Sequence, residues 1–319
     1  MIKVLFAGSP DAARITLEGL VNAQNEYGFE ITGVLSNPPS AKGRHKDLIP
    51  TPVAAFAAEK GIPVFTPEHL DGEAREAIGP LGAELLVSFA YGHIFGPKFL
   101  ALFPLGGINL HPSLLPKYRG CTPVPAAILN RDKQTAVTVQ TLSLKMDEGD
   151  ILAQTLVELN GSETSESLLN YSAEEGARLI CEILRQTAED KKLPAGKIQS
   201  GQASYTGIIK KEDGRLNWKD STADIEAKIR AYYPEPGCWC MEGNNSIRIL
   251  EARIFTGESE NSSAALPGTV LAFSKSDGIL IKTGDGILAV RRLQRQGKSA
   301  MDYKSFMNGA RNFIGTVLE

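Results

Sequence analysis

Cysteine, histidine and tryptophan are scarce in this chain of 319 residues, and each scarcity removes a class of function. The 4 cysteines, Cys121, Cys181, Cys238 and Cys240, are too few and too scattered for a disulfide framework. Cys238 and Cys240 sit close together, but no second ligand pair follows and the 4 histidines lie far apart, so no metal is expected. Long apolar runs are missing as well. Nothing approaches the ~20 residues of a membrane span, and Met1-Ile2-Lys3-Val4-Leu5-Phe6 reads as a strand without the pattern of a signal peptide. A cytoplasmic location is the expectation. Glycines are lacking where a dinucleotide site would need them: Ala7-Gly8-Ser9-Pro10-Asp11-Ala12-Ala13 opens like a nucleotide-binding βαβ unit, but without the second and third glycines of G-x-G-x-x-G. The backbone then cannot approach a pyrophosphate closely, which argues against NAD.

An excess of positive charge is also absent, with a net charge of −3. The average hides an asymmetry. From residue 207 onward there are 16 Lys/Arg against 14 Asp/Glu, and within 275–319 the count is 8 against 4, so the basic surplus sits at the C-terminal end.

What is present is the composition of an ordinary globular protein, 42% hydrophobic and 22% charged, at a length that favours two domains. Up to residue 189 apolar strands alternate with helical stretches, the pattern of a doubly wound α/β domain. Ser9 is placed to cap the first helix, with Pro10 in its first turn. A long helix is expected over 165–186, with Leu169, Ala173, Ile180, Ile183 and Leu184 on its buried side and Gly176 on the same face, where a neighbour can approach. Residues 190–206, rich in Lys, Gly, Ser and Gln, read as a linker. Beyond it a helix near 222–231 is followed by five short strands over 238–241, 246–255, 268–273, 278–282 and 286–293, which suit an OB-like β-barrel over 207–319.

The richest stretch is Gly107-Ile-Asn-Leu-His-Pro-Ser-Leu-Leu-Pro-Lys-Tyr-Arg-Gly120. Ile108 and Leu110 alternate with Asn109 and His111, so an amide and an imidazole leave one face of a strand that Pro112 ends. In open α/β sheets ligands bind at that edge. Taken alone, an Asn and a His there serve equally well to satisfy loop backbone. Further on, Met146-Asp-Glu-Gly-Asp-Ile-Leu152 feeds Asp150 into another apolar run, and 135–141 and 150–156 read as a hairpin across this acidic loop. Asn109, His111 and Asp150 form a candidate catalytic triad.

Those motifs resemble the signature of the 10-formyltetrahydrofolate-dependent formyltransferases, and within them the members that formylate methionine carried by initiator tRNA. The resemblance runs from Met1 to the C-terminal residues. It implies a Rossmann-like formyltransferase domain over 1–189, a linker over 190–206 and an OB-like tRNA-binding domain over 207–319. It implies 10-formyltetrahydrofolate as co-substrate, with no metal. Phe89, Ala90, Tyr91 and Gly92 would border the pterin through backbone groups, although Ser88 and Phe89 stand where the family often has Val. Ser113, Leu114, Leu115 and Pro116 would continue the folate site. Charged initiator tRNA is the implied partner of a monomer. The loop over 36–50 would wedge into its acceptor end through Lys42, Arg44 and Lys46, Asp47 replacing a residue that is often basic. Arg291, Arg292, Arg295 and Lys298 of the C-terminal domain would meet phosphates. Two other readings compete: a related formyltransferase acting on an amino-sugar nucleotide or other small amine, and a non-catalytic RNA-binding protein, against which the intact Asn109, His111 and Asp150 argue.

Overall fold

The computed structural model describes residues 1–42, 47–257, 264–310 and 312–319. Its backbone divides into two compact units, one of Met1–Pro123, Gln134–Glu158 and Leu168–Gly207, the other of Val124–Lys133, Leu159–Ser167 and Ile208–Glu319. The chain opens with β1 (Ile2–Gly8), α1 (Asp11–Tyr27), β2 (Phe29–Leu35), the short strands β3 (Ser40–Lys42) and β4 (Asp47–Ile49), α2 (Pro52–Glu59), β5 (Val64–Phe65) and α3 (Gly72–Ile78). Next come β6 (Leu85–Phe89), α4 (Pro97–Leu100), β7 (Gly107–His111), β8 (Arg119–Gly120), α5 (Pro123–Leu129), β9 (Gln134–Thr141), β10 (Ile151–Glu158), α6 (Ser165–Asp190) and β11 (Tyr205–Thr206).

Seven of these strands form one sheet in the order β10-β9-β7-β6-β1-β2-β5. The pairings among β5, β2, β1, β6 and β7 are parallel, while β9 runs antiparallel to β7 and to β10. Alternate side chains enter opposite cores, as a strand's two-residue period requires. Val4, Phe6, Leu85, Val87, Phe89, Ile108 and Leu110 meet α1, α2 and α6 on one face. Leu5, Ala7 and Leu86 meet Ile78 of α3 and Phe99 of α4 on the other. The sheet is therefore doubly wound, and β9 and β10 pair as the expected hairpin.

Local chemistry departs from expectation at the first turn. Ser9 does not cap α1, whose N-cap is Pro10 with no side-chain bond. The Ser9 hydroxyl instead accepts from the backbone N–H of Asn37 at 3.1 Å, tying the end of β1 to the end of β2. Elsewhere capping is conventional, Thr51 accepting from the Ala54 N–H and Asp71 from the Ala74 N–H. The stretch read as a linker is fastened to the first unit, with Lys197 bridged to Ile151 and β11 pairing with β8.

In the second unit α7 (Thr222–Ala231), capped by Ser221, precedes β12 (Cys238–Glu242), β13 (Asn245–Ile254), β14 (Val270–Ser274), β15 (Gly278–Lys282), β16 (Ile287–Arg295), β17 (Met301–Asp302) and α8 (Tyr303–Asn308). These strands form an antiparallel sheet in the order β12-β13-β16-β15-β14, with β17 beside β16. Among the described residues β12 and β14 do not pair. The C-terminal residues run between them: Glu319 exchanges hydrogen bonds with Met241 at 2.7 and 3.0 Å, while Thr316 and Leu318 bond Val270 and Gly268. Cys238 and Cys240 lie buried in β12, where desolvation pushes both thiols up to about 12.

Gly176 in α6 faces Leu110 of β7 so closely that any Cβ would overlap the leucine's methyl groups. Gly176→Val is expected to destabilise the fold by about 1–3 kcal/mol through overpacking, read as a lower denaturant midpoint in equilibrium unfolding.

Candidate active site

β7 carries the two polar groups expected of it. His111 is 4% exposed, and its Nε2 lies 2.9 Å from the Tyr118 carbonyl oxygen. A carbonyl can only accept, so Nε2 carries a hydrogen and donates it. The other ring nitrogen, Nδ1, is 3.6 Å from Oδ2 of Asp147, outside hydrogen-bond range and within ionic attraction. Burial pushes the imidazole below its ordinary value, against the opposing pull of the Asp147 carboxylate and of the Tyr118 carbonyl. In its neutral form His111 therefore has a bare Nδ1 beside a carboxylate. Asn109, half-buried on the same face two residues earlier, makes no side-chain hydrogen bond among the described residues.

The carboxylate facing His111 is that of Asp147 and not of Asp150. Asp150 meets the sheet through its backbone: its N–H donates to the Thr141 hydroxyl and its carbonyl accepts from the Thr141 N–H, both at 2.9 Å. Gly149 presses against the Thr141 carbonyl with no room for a Cβ, so the loop folds back over β9 and turns Asp147 toward β7. Asp147 itself has a φ of 54°, in the left-handed region. Its Oδ2 accepts from the Gly120 N–H at 2.7 Å and its Oδ1 from the Gln140 side-chain amide at 2.9 Å. Gln140 is 1% exposed and stands opposite Asn109 in the β7–β9 register.

Phe89 and Tyr91 bury their side chains in the cores on the two faces of the sheet, leaving Ala90 and Gly92 exposed at the end of β6. Burial drives the Tyr91 phenol up to about 12. Ser113 is enclosed, donating to the Lys117 carbonyl at 2.7 Å. Leu114, Leu115 and Pro116 line a cavity of about 660 Å³ whose wall also includes Gln154 and Lys197.

Arg44 and Lys46 lie outside the described residues, as does the side chain of Lys42. In the C-terminal unit, Arg295 is committed to a two-pronged pair with Glu242 at 2.8 and 3.0 Å, and Arg291 lies 3.6 Å from Glu251. Arg292 and Lys298 are exposed, with no ion pair among the described residues.

The family described as Formyl transferase matches residues 2–184, and Formyl transferase, C-terminal domain, matches residues 208–311. The chain belongs to the formyl transferase family. This formyl transferase is 43% identical over 322 residues to a Treponema denticola protein named methionyl-tRNA formyltransferase, covering 98% of each chain. It is 38% identical over 314 residues to a protein of that name from Borrelia duttonii, covering 98% and 99%. Two solved structures share the fold. One is HypX from Aquifex aeolicus in complex with tetrahydrofolic acid, with a TM-score of 0.64, 15% identity and coverage of 98% of this chain and 48% of that one. The other is an N-formyltransferase from Helicobacter canadensis with folinic acid and dTDP-3-aminofucose, with a TM-score of 0.63, 21% identity and coverage of 91% and 99%.

Sequence reasoning missed Asp147, because two carboxylates three residues apart in one loop look alike until the loop folds. An anionic neighbour favours the charged ring, so Asp147→Asn should move the His111 imidazole titration to lower pH, as followed by NMR. Asp150→Asn should leave it in place.

Proposed function

We propose that this chain transfers a formyl group from 10-formyltetrahydrofolate to the α-amino group of methionyl-initiator tRNA, giving N-formylmethionyl-tRNA for translation initiation. The observation that carries the reading is the pairing of His111 with Asp147 on the strand face that also carries Asn109, whose amide has no partner among the described residues, in a chain whose relatives of 36–43% identity bear the name methionyl-tRNA formyltransferase. The protein works as a cytoplasmic monomer in this reading. Residues 1–189 are the catalytic domain, 190–206 the linker and 207–319 the tRNA-binding domain.

An α-amino group has a pKa of about 7.7–8.0, so at neutral pH much of it must shed a proton before it attacks. That first proton goes to solvent; as the free amine bonds to the formyl carbon, the bare Nδ1 of His111 accepts the proton its nitrogen then sheds, and the resulting imidazolium is held by Asp147. Asn109 donates to the oxyanion that forms when the amine nitrogen bonds to the formyl carbon. As the intermediate collapses, the bond from that carbon to the folate nitrogen breaks, and His111 Nδ1–H returns a proton to the leaving nitrogen. Asp147 thereby takes the role expected of Asp150.

For the formyl donor the residues present fit. Ala90 and Gly92 are exposed and carry at most a methyl group, so their backbone groups are the ones offered to a planar ring, and Ser113, Leu114, Leu115 and Pro116 continue the same edge. For the tRNA, Lys42, Arg44 and Lys46 are assigned to the acceptor end, and Arg292 and Lys298 to phosphates, with Arg291 and Arg295 more tightly held by their carboxylates.

The test is formyl transfer from 10-formyltetrahydrofolate to methionyl-initiator tRNA, run beside free methionine and an amino-sugar nucleotide. Transfer to the charged tRNA alone is expected. Transfer to a small amine instead would overturn the acceptor assignment. His111→Ala should abolish transfer while folate binding, measured by calorimetry, persists, and Asn109→Ala should slow transfer on the order of a hundredfold to a thousandfold. Arg44→Ala should raise KM for charged tRNA with KM for the folate unchanged.

A further inference from the structure

Asp147 is held from behind by a chain of side-chain amides that begins outside the catalytic sheet. Arg119 donates from Nε and Nη2 to Oε1 of Gln199 at 3.1 and 2.8 Å. Gln199 Nε2 donates to Oε1 of Gln140 at 3.1 Å and to the main-chain carbonyls of Asp147 and Gly149, both at 2.8 Å. Gln140 Nε2 donates in turn to Oδ1 of Asp147 at 2.9 Å. Every donor in this sequence points toward the carboxylate.

The direction is imposed chemically. A guanidinium has only hydrogens to offer, and the carbonyls of Asp147 and Gly149 can only accept. Gln199 must therefore turn its oxygen to Arg119 and its NH₂ to the loop. The Asp147 carboxylate likewise only accepts, so Gln140 turns its NH₂ to it and its oxygen to Gln199, whose two amide hydrogens are shared among three acceptors. We propose that Arg119, Gln199 and Gln140 form a one-way amide relay that sets the Asp147 carboxylate against His111, and that Gln199 is a positioning residue for the transfer step. The inference rests on the functional reading above.

Two further features favour positioning over general packing. The grip on the loop is taken on both sides of Glu148, at the Asp147 and Gly149 carbonyls, while the Glu148 carboxylate is itself held by Arg119 at 3.1 Å and by the Tyr205 hydroxyl at 3.0 Å. Asp147 sits in the left-handed backbone region, which a residue with a side chain occupies at a cost and keeps only when its surroundings hold it there. Gln199 also gives 190–206 a task beyond connection, since this segment supplies a side chain to the site.

Gln199→Glu tests the relay with little change of volume: the new carboxylate keeps its contact with Arg119 but turns an acceptor toward three acceptors. In this variant kcat for formyl transfer is expected to fall on the order of tenfold to a hundredfold, the scale of a misplaced catalytic group, with KM for both substrates unchanged. The His111 titration, followed by NMR, should move to lower pH, because Asp147 no longer faces the ring squarely. Gln140→Leu cuts the relay at its other end and should reproduce both effects, and the double variant should be no slower than the slower single one, as for residues acting as a unit. Parent-like kcat and a parent-like His111 titration in Gln199→Glu would overturn the proposal, as would effects that multiply in the double variant. If Gln140→Leu, a buried site, does not fold, the half-buried Gln199 variant and its titration decide alone. Failure of the parent to formylate any acceptor would remove the functional reading, whereas the titration would still report on the relay.

Discussion

The site depends on one arrangement: a carboxylate held against a nearly enclosed imidazole that has already spent one of its nitrogens. Taking a charge out of water is costly unless donors replace the lost hydration. Asp147 has such donors in the Gly120 N–H and the Gln140 amide. Among the described residues His111 has only the Tyr118 carbonyl within hydrogen-bond range, so burial outweighs the opposing pulls and favours the neutral ring. Proton uptake by Nδ1 would turn a repulsive lone-pair contact with the carboxylate into an attractive ion pair. That difference between the two protonation states is what a group needs if it is to take a proton in one step and release it in the next.

The fold supplies the precision. β7 lies between a parallel neighbour, β6, and an antiparallel one, β9. Ile108 and Leu110 anchor it in the core shared with α1 and α6, which leaves Asn109 and His111 to the opposite face. The same two-residue period on β9 places Gln140 opposite Asn109 and Thr138 opposite His111. Thr138 donates to the Ser113 carbonyl at 2.7 Å, fixing the turn that follows the strand. Groups mounted on a sheet in this way are held more tightly than a loop alone would allow, and the one group of the proposed site that comes from a loop, Asp147, is held by the Gly120 N–H and the Gln140 amide.

The C-terminal unit shows why counting charges is a coarse guide to binding surfaces. Its basic surplus is real, but Arg295 is locked to Glu242 and lies over the rings of Phe306 and Phe313 at 4.7 and 5.7 Å, so it fastens α8 and the residues after it to the sheet. Arg291 lies over Tyr303 at 5.5 Å and reaches Glu251. Two of the four cations grouped by sequence thus contribute to internal structure, and Arg292 and Lys298 are the ones left facing solvent.

By itself the sequence determined whatever depends on neighbours along the chain. Strands with two-residue periodicity, helices with a 3.6-residue apolar stripe and the change of pattern after residue 190 were all legible, and so was the Asn109/His111 pair, because one strand's own alternation puts both on one face. The capping of α1 was misread because Ser9 had a tertiary alternative, the Asn37 N–H at the end of β2, that no local rule contains. The choice between Asp147 and Asp150 and the roles of Gln140 and Gln199 belonged to tertiary structure alone. Each turns on how a loop folds back across a sheet and on which segment, 59 positions away along the chain in the case of Gln199 and Gln140, arrives to hold it. Hydrogen bonds between side chains are short-ranged and directional, so their partners are decided only once the backbone has brought them within about 3 Å.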